Sequence, residues 1–208
     1  MIIAVDGPAA SGKGTIARAL AAHYRLPHLD TGLLYRAVGV ALARAGGDAD
    51  DEDAAERACD FPDSLMNDPE LRGAEAGSLA SRVARHPRVR AALLARQQAF
   101  ARQPGGAVLD GRDIGTVIAP DADAKLFVTA SIEARADRRY RELAGKGEPV
   151  DRVELRDDLM RRDERDSSRD AAPLLQSESA GLLDTTHLNV DQAIAAAIAM
   201  VERQRVPG

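Results

Sequence analysis

Short apolar runs alternate along this chain with longer stretches whose apolar residues recur at helical spacing. The first run is "IIAV" (2–5), and the loop "GPAASGKGT" (7–15) follows it. Between 14 and 23, Ile16, Ala17 and Leu20 share one helical face. "LPHLD" (26–30) predicts a second short strand with Asp30, Thr31 and Gly32 as its turn, and 33–46 predicts a helix ended by Gly46 and Gly47. Residues 48–56 are acidic and predict a solvated helix start. Residues 60–78, broken by Pro62, Pro69, Gly73 and Gly77, read as an insert rather than scaffold. Helices are expected at 79–85 and 88–102, divided by Pro87. "AVLDG" (107–111) and "AKLFVTA" (124–130) predict buried strands. Ser131 is placed to cap a helix over 132–143, which Gly145 and Gly147 end. Asp151 with Glu154 has the form of a capping box for a helix reaching about Arg165. "GLLD" (181–184) predicts a last strand, and Asn189 caps a closing amphipathic helix over 190–204.

Five short strands alternating with helices predict an α/β fold, a parallel five-stranded sheet covered on both faces. At 208 residues the chain suits one such domain with inserted segments. It shows no internal repeat and no low-complexity tail.

Composition narrows the function classes. Hydrophobic residues make up 45% of the chain and aromatics only 3%, with no Trp, so the core is aliphatic and stacking platforms for single-stranded nucleic acid are not expected. The net charge of −5 disfavours long DNA or RNA, while small phosphorylated ligands need only a local cluster of positive charge. Of the 28 basic residues only Lys13, Lys125 and Lys146 are lysines, which makes Lys13 stand out. Cys59 is alone, and His23, His28, His86 and His187 are scattered, so neither an intramolecular disulfide nor a structural zinc site is expected. With no apolar run of spanning length and a first strand starting at Ile2, the expectation is a soluble cytoplasmic protein.

The spacing Gly7-x-x-x-x-Gly12-Lys13, between a strand and a helix, is that of a phosphate-cradling P-loop. Its glycines let backbone N–H groups surround phosphates, and the helix N-terminus adds partial positive charge. Lys13 can reach the β- and γ-phosphates. The general pattern puts Ser or Thr directly after the lysine; here Gly14 stands there and Thr15 comes next. That shift, and the lack of an Asn-Lys-x-Asp stretch, argue against a GTPase. Gly-Lys-Gly-Thr resembles small nucleoside monophosphate kinases, whose metal is held largely through waters and the two nucleotides.

An enzyme that phosphorylates a phosphate must hold two anions together, and arginine suits that work. Arginines do recur near predicted strand ends: Arg36 in "DTGLLYR", Arg112 in "GRDIGT", and several in "RRDERDSSR" (161–169). The alternatives are a solvated position for Arg36 and a mutual ion pair for Arg112 and Asp113. Between 135 and 169 there are ten arginines and ten acids, so most are surface pairs at helical spacing.

Taken together, "GPAASGKGT", "LDTGLLYR", "ASRVARHPRVR", "LDGRDIGTV", "PDADAKLFVTAS" and "RRDERDSSRDAAPL" resemble the bacterial cytidylate kinases over nearly the whole length. Adenylate kinases carry Asp-Gly-Phe-Pro-Arg where this chain has "DGRDIG". The resemblance implies ATP-dependent phosphorylation of CMP and dCMP with Mg2+ as the cofactor of ATP. It implies an ATP loop of Gly7, Pro8, Ala9, Ala10, Ser11, Gly12, Lys13, Gly14 and Thr15. It implies an acceptor site of Thr31, Arg36, Ser81, Arg90, Arg112, Asp113, Arg162, Asp166 and Arg169. Of these, Arg36, Arg112 and Arg162 would grip the phosphate, Lys13, Arg112 and Arg162 would be catalytic, Ser81, Arg90, Asp113 and Arg169 would surround cytosine, and Asp166 would meet the sugar. Arg138 and Arg139 fall where a mobile lid begins. No metal ligand is assigned, with Thr15 the sole candidate. The division implied is a core of 1–30, 104–137 and 171–208, an acceptor-binding segment of 31–103 and a lid of 138–170, working as a monomer. Many family members carry a longer β-rich insert than 60–78 allows, so the acceptor segment is expected to be helices and loop. Two rivals remain open at this stage: another small P-loop kinase, and a non-catalytic nucleotide-binding module.

Overall fold

Alternation along the strands decides which side chains face which layer. In β1 (Ile2–Asp6), Ile3 and Val5 enter one apolar cluster while Ala4 enters another; in β3 (Ala107–Gly111), Val108 joins the first and Ala107 and Leu109 the second. Both strands are thus covered on two sides, as parallel strands require. The computed structural model describes residues 1–145, 147 and 149–205; Lys146 lies outside them.

With β2 (His28–Asp30), β4 (Ala124–Thr129) and β5 (Gly181–Asp184), the strands form one parallel sheet in the order β2-β3-β1-β4-β5. Helices α1 (Lys13–Tyr24) and α8 (Val190–Arg205) cover one face through Ile16, Leu20, Ala197 and Val201. The start of α8 is a reciprocal cap: the Gln192 amide donates to Asn189 Oδ1 at 2.9 Å, and the Asn189 amide donates to Gln192 Oε1 at 3.0 Å. On the other face lie α5 (Pro87–Ala101) and a π-helical turn over Ile114–Ile118, which the sequence pattern did not indicate.

The segment between β2 and β3 has a core of its own. Helices α2 (Thr31–Arg44), α3 (Glu52–Arg57), α4 (Ala74–Val83) and α5, with two 3-10 turns (Asp63–Asn67 and Pro69–Arg72), enclose Leu34, Val38, Leu71, Val83, Val89 and others. No strand occurs there, in keeping with the expectation of helices and loop. Exposed arginines of α4 and α5 meet the acidic stretch before and within α3, Arg82 with Asp48 and Asp50, Arg88 with Glu56; exposed pairs of this kind contribute little each.

Three boundaries differ from the sequence pattern. There is no turn at 30–32: Asp30 is the N-cap of α2, its Oδ1 accepting from the Gly32 amide at 2.9 Å, so the chain passes from strand to helix directly. Helix α4 begins at Ala74 rather than 79. Gly77 sits inside it because the Arg36 guanidinium lies 3.2 Å from where a Cβ would stand. Pro87 is the first residue of α5, a position that needs no amide proton. The remaining helices, α6 (Ile132–Ala144, capped by Ser131) and α7 (Arg152–Ser168, capped by Asp151), pack side by side.

Helices α2 and α4 meet at Gly39, where an added Cβ would stand 2.6 Å from Leu79 Cβ. Gly39→Ala gains about 1 kcal/mol of helix propensity, but overpacking costs about 1–3 kcal/mol, and the obstructing atom is a Cβ that cannot swing away. The expected outcome is a net loss of about 1 kcal/mol in urea unfolding; a more stable variant would contradict the close packing.

Candidate active site

The P-loop after β1, the ends of β2 and β3 and the residue after β5 border one cavity at the carboxyl side of the sheet, the side on which open α/β sheets generally bind ligands. The P-loop is shaped by two glycines. Gly7 has φ +153°, and a Cβ on it would fall 2.0 Å from the Val128 carbonyl oxygen; Gly12 has φ +90° just before α1. The loop leads into the N-terminus of α1, whose first residue is Lys13. Lys13 Nζ donates to the Pro8 carbonyl at 3.2 Å. Burial, then the neighbouring Arg112, lower its ammonium to about 7.

The cavity has a volume of about 820 Å3. Ala9, Ala10, Ser11, Gly12, Lys13, Gly14 and Thr15 line it on one side, and Arg36, Arg112 and Arg162 on another, with Arg138 and Arg139 of α6. Sequence reasoning thus brought together two groups of residues far apart in the chain. Gly7 and Pro8 do not line the cavity. Thr31 does not line the cavity; its hydroxyl donates to the Asp110 carbonyl at 2.8 Å. Thr15 is exposed, and Arg18 Nη2 donates to its hydroxyl at 3.4 Å. Position 14 faces Asp110, whose Oδ2 lies 3.6 Å from where a Cβ would be.

The cations are held by specific partners. Arg36 Nη1 donates to the Leu71 carbonyl at 2.8 Å and that of Gly73 at 3.1 Å, so it is no solvated surface residue. Arg112 and Asp113 do not pair with each other. Arg112 Nε donates to Asp166 Oδ2 at 2.7 Å, and Asp113 pairs with Arg90. The reason is direction: adjacent residues at the end of β3 point apart, one toward α7 and one toward α5. Burial pushes the Asp166 carboxyl up, but Arg112 and Arg162 outweigh it and hold it below its ordinary range. Arg162 carries a buried Nε with no partner among the described residues, and burial together with Arg112 lowers its guanidinium to about 10.

Arg90, Asp113, Asp166 and Arg169 form a polar cluster beside the cavity rather than its lining, and Ser81 does not line it either. Arg90 lies over the Tyr35 ring, 5.5 Å from its centroid, and donates to the Ala84 carbonyl. Arg169 donates through Nε to the Ala172 carbonyl at 2.6 Å, while its buried Nη2 has no partner among the described residues. A carboxylate acceptor and two guanidinium donors therefore stand together.

Several contributors escaped the sequence reading. Asp30 and Asp110 line the cavity as the last or near-last residues of β2 and β3. Burial, then repulsion from Asp110, raise the Asp30 carboxyl above its ordinary value. His28 Nε2 lies 2.7 Å from Asp110 Oδ1. The signal was an acid at the end of each of these two strands; the sequence pattern suggests a turn at Asp30 and a buried strand through Asp110. Arg165 lines the cavity and donates to Ser81 Oγ at 3.2 Å, joining α7 to α4. Arg135, buried on α6, donates to the Ala9 carbonyl at 3.3 Å and makes two bonds to Asp163 of α7 at 3.1 and 2.6 Å. Arg138 reaches the Ser11 carbonyl and both Oγ1 and the carbonyl of Thr185. A further wall is formed by Leu188, Asn189, Val190 and Ala193 at the start of α8.

The family model described as cytidylate kinase matches residues 3–203. A cytidylate kinase of Xanthobacter autotrophicus is 62% identical over 206 residues, covering 99% of each chain. One of Methylocella silvestris is 57% identical, covering 97% of this chain and 94% of its own. Among solved structures, a protein from Eubacterium ventriosum aligns with a TM-score of 0.57 at 16% identity, over 97% of this chain and 98% of that one, which is a likeness of fold. A whole-length family match and relatives of this identity, on a parallel sheet with a P-loop facing an arginine cluster, leave one assignment: the chain belongs to the cytidylate kinase family.

Proposed function

We propose that this protein transfers the γ-phosphoryl group of ATP to CMP or dCMP, giving CDP or dCDP in pyrimidine nucleotide metabolism. The observation that carries the reading is a single cavity with a P-loop and Lys13 on one side and Arg36, Arg112 and Arg162 on the other, Arg162 with an unpartnered buried Nε. Such a cavity suits two phosphate groups facing each other. In this reading the enzyme acts as a single domain and a monomer in the cytoplasm, on small molecules. No helix of the described residues is long and apolar enough to cross a membrane.

The P-loop holds the ATP phosphates, and the start of α8 with Thr185 offers the wall for adenine. Arg36, Arg112 and Arg162 take the acceptor phosphate. The acceptor oxygen has a second pKa near ~6 and is ionised at neutral pH, so no general base is required. Catalysis is then positioning and neutralisation of charge by Lys13 and the arginines. The α6–α7 pair carrying Arg138 and Arg139 covers the loop and excludes water from the transfer. Cytosine presents an amino donor beside a ring-nitrogen acceptor, which Asp113 and the guanidinium of Arg90 or Arg169 complement; uracil presents the reverse.

Thr15, Asp30 and Asp110 are oxygen donors of the cavity lining that belong to the P-loop or lie near Lys13, a set that fits a hard cation such as Mg2+. No group of three or more acidic, His or Cys side chains among the described residues makes a protein-only cage. Thr15, Asp30 and Asp110 would therefore hold the ion from one side, in company with phosphates and water. Bound there, it supplies charge neutralisation between the phosphates.

A panel of acceptors tests the reading. ADP release from ATP is expected with CMP and dCMP, far less with UMP, AMP or alcohols. Lys13→Met should fold normally and lose about 2–4 kcal/mol of transition-state stabilisation. Release with a different acceptor would redirect the assignment to another small kinase, and ATP binding with no release to a non-catalytic module. The lowered Lys13 ammonium gives a second expectation. Free Lys13 is mostly neutral at pH 8, and a bound polyphosphate raises its pKa again, so ATP binding at that pH takes up close to one proton. Calorimetry in two buffers of different ionisation enthalpy reads this directly. Uptake should vanish in Lys13→Met and shrink below pH 6, where the free ammonium is already charged.

A further inference from the structure

Asp6 is a buried carboxylate, 5% exposed, that the mechanism above does not use. It ends β1 immediately before Gly7, and it pairs in parallel register with Gly111 of β3. Its Oδ1 accepts from the Ile114 amide and its Oδ2 from the Gly115 amide, both at 2.8 Å. Those are the first two amides of the π-helical turn, and the residue at the N-cap of that turn is Asp113. An aspartate at an N-cap ordinarily turns its side chain onto the amides two and three residues ahead. Asp113 makes no such bond; its carboxylate goes to Arg90 instead. The close fit is visible at Gly115, where a Cβ would stand 3.4 Å from Asp6 Oδ2 and 3.3 Å from the Lys125 side chain.

We infer that Asp6 is a positioning residue for acceptor selection: by capping the turn after β3 from a different strand, it leaves Asp113 free to pair with Arg90 and face the base. The inference rests on the functional reading above and deepens it. One residue thereby fixes both the entry to the P-loop and the acceptor-reading loop. Burial lifts the carboxyl to about 7, and the Gly115 and Ile114 amides oppose that rise, with Asp113 adding repulsion and Arg112 attraction. An apolar side chain there would leave the buried Ile114 and Gly115 amides without an acceptor.

The test is Asp6→Asn. Its side-chain oxygen accepts from one amide, and its NH2 faces the other amide's N–H. The turn then competes for the Asp113 carboxylate. KM for CMP is expected to rise about tenfold, the equivalent of one lost hydrogen bond of about 1.4 kcal/mol. KM for ATP should stay within about twofold, and the CMP-over-UMP ratio of kcat/KM should fall in step with the CMP loss. In an Asp113→Asn background the same substitution should add almost nothing to that ratio. Asp6→Ser, which removes the carboxyl and leaves room for water, is the second variant should Asp6→Asn not fold, and it must show the same split. Equal rises in both KM values, or an unchanged CMP-over-UMP ratio, would overturn the inference and make Asp6 a support of the P-loop alone. If the unmodified enzyme phosphorylates no cytidine nucleotide, the functional reading fails instead. Calorimetric binding of CMP and UMP to the variants then still reports whether Asp6 governs the discrimination.

Discussion

Like charges crowded around one cavity are the constraint on which the site depends. Lys13, Arg36, Arg112, Arg162 and Arg165 all line it, and repulsion from Arg112 contributes to lowering both Lys13 and Arg162. Without counter-charges such a group would spread into solvent. The fold supplies those charges from several elements: Asp166 from α7 for Arg112, Asp113 from the end of β3 for Arg90, and Asp30 and Asp110 from the ends of β2 and β3 beside Lys13. Removing one partner of such a buried pair is more costly than the pair is stabilising, because the remaining charge stays buried. Arg112 is therefore fixed by Asp166, and Arg36 by the Leu71 and Gly73 carbonyls.

The sheet makes that placement possible. Parallel strands end on the same side, so loops far apart in sequence open onto one space. The helical segment from α2 to α5 adds Arg36 and Arg90 on a core of its own, tied to α7 through Arg165 and Ser81. Helix α6 is bound to the P-loop through Arg135 and Arg138. Its anchoring begins before residue 138, where the sequence had placed the edge of the lid.

The strands and the P-loop were legible because each has a local cause: apolar runs of limited length, and glycines where the backbone turns toward phosphate. Helix starts with a side-chain cap were legible too, as Ser131, Asp151 and Asn189 show. What local pattern hid was decided by tertiary contacts. Gly77 looked like a helix breaker, yet it lies inside α4, where the Arg36 guanidinium packs 3.2 Å from the position a Cβ would take. Asp30 looked like a turn residue, yet it caps α2 and lines the cavity. The π-helical turn at 114–118 has its cap on Asp6, more than 100 residues away in the chain, so no window of sequence contains it. Arg112 and Asp113 could have paired with each other as sequence neighbours, but their partners came from α7 and α5.

The central claim is that one cavity takes both nucleotides at once with their phosphates facing. The most direct measurement is calorimetric titration with a compound joining adenosine and cytidine through five phosphates. The account predicts one molecule bound per chain, affinity well above that of ATP or CMP alone, and displacement by either nucleotide. Binding of two molecules per chain, or displacement by ATP with no competition from CMP, would contradict it.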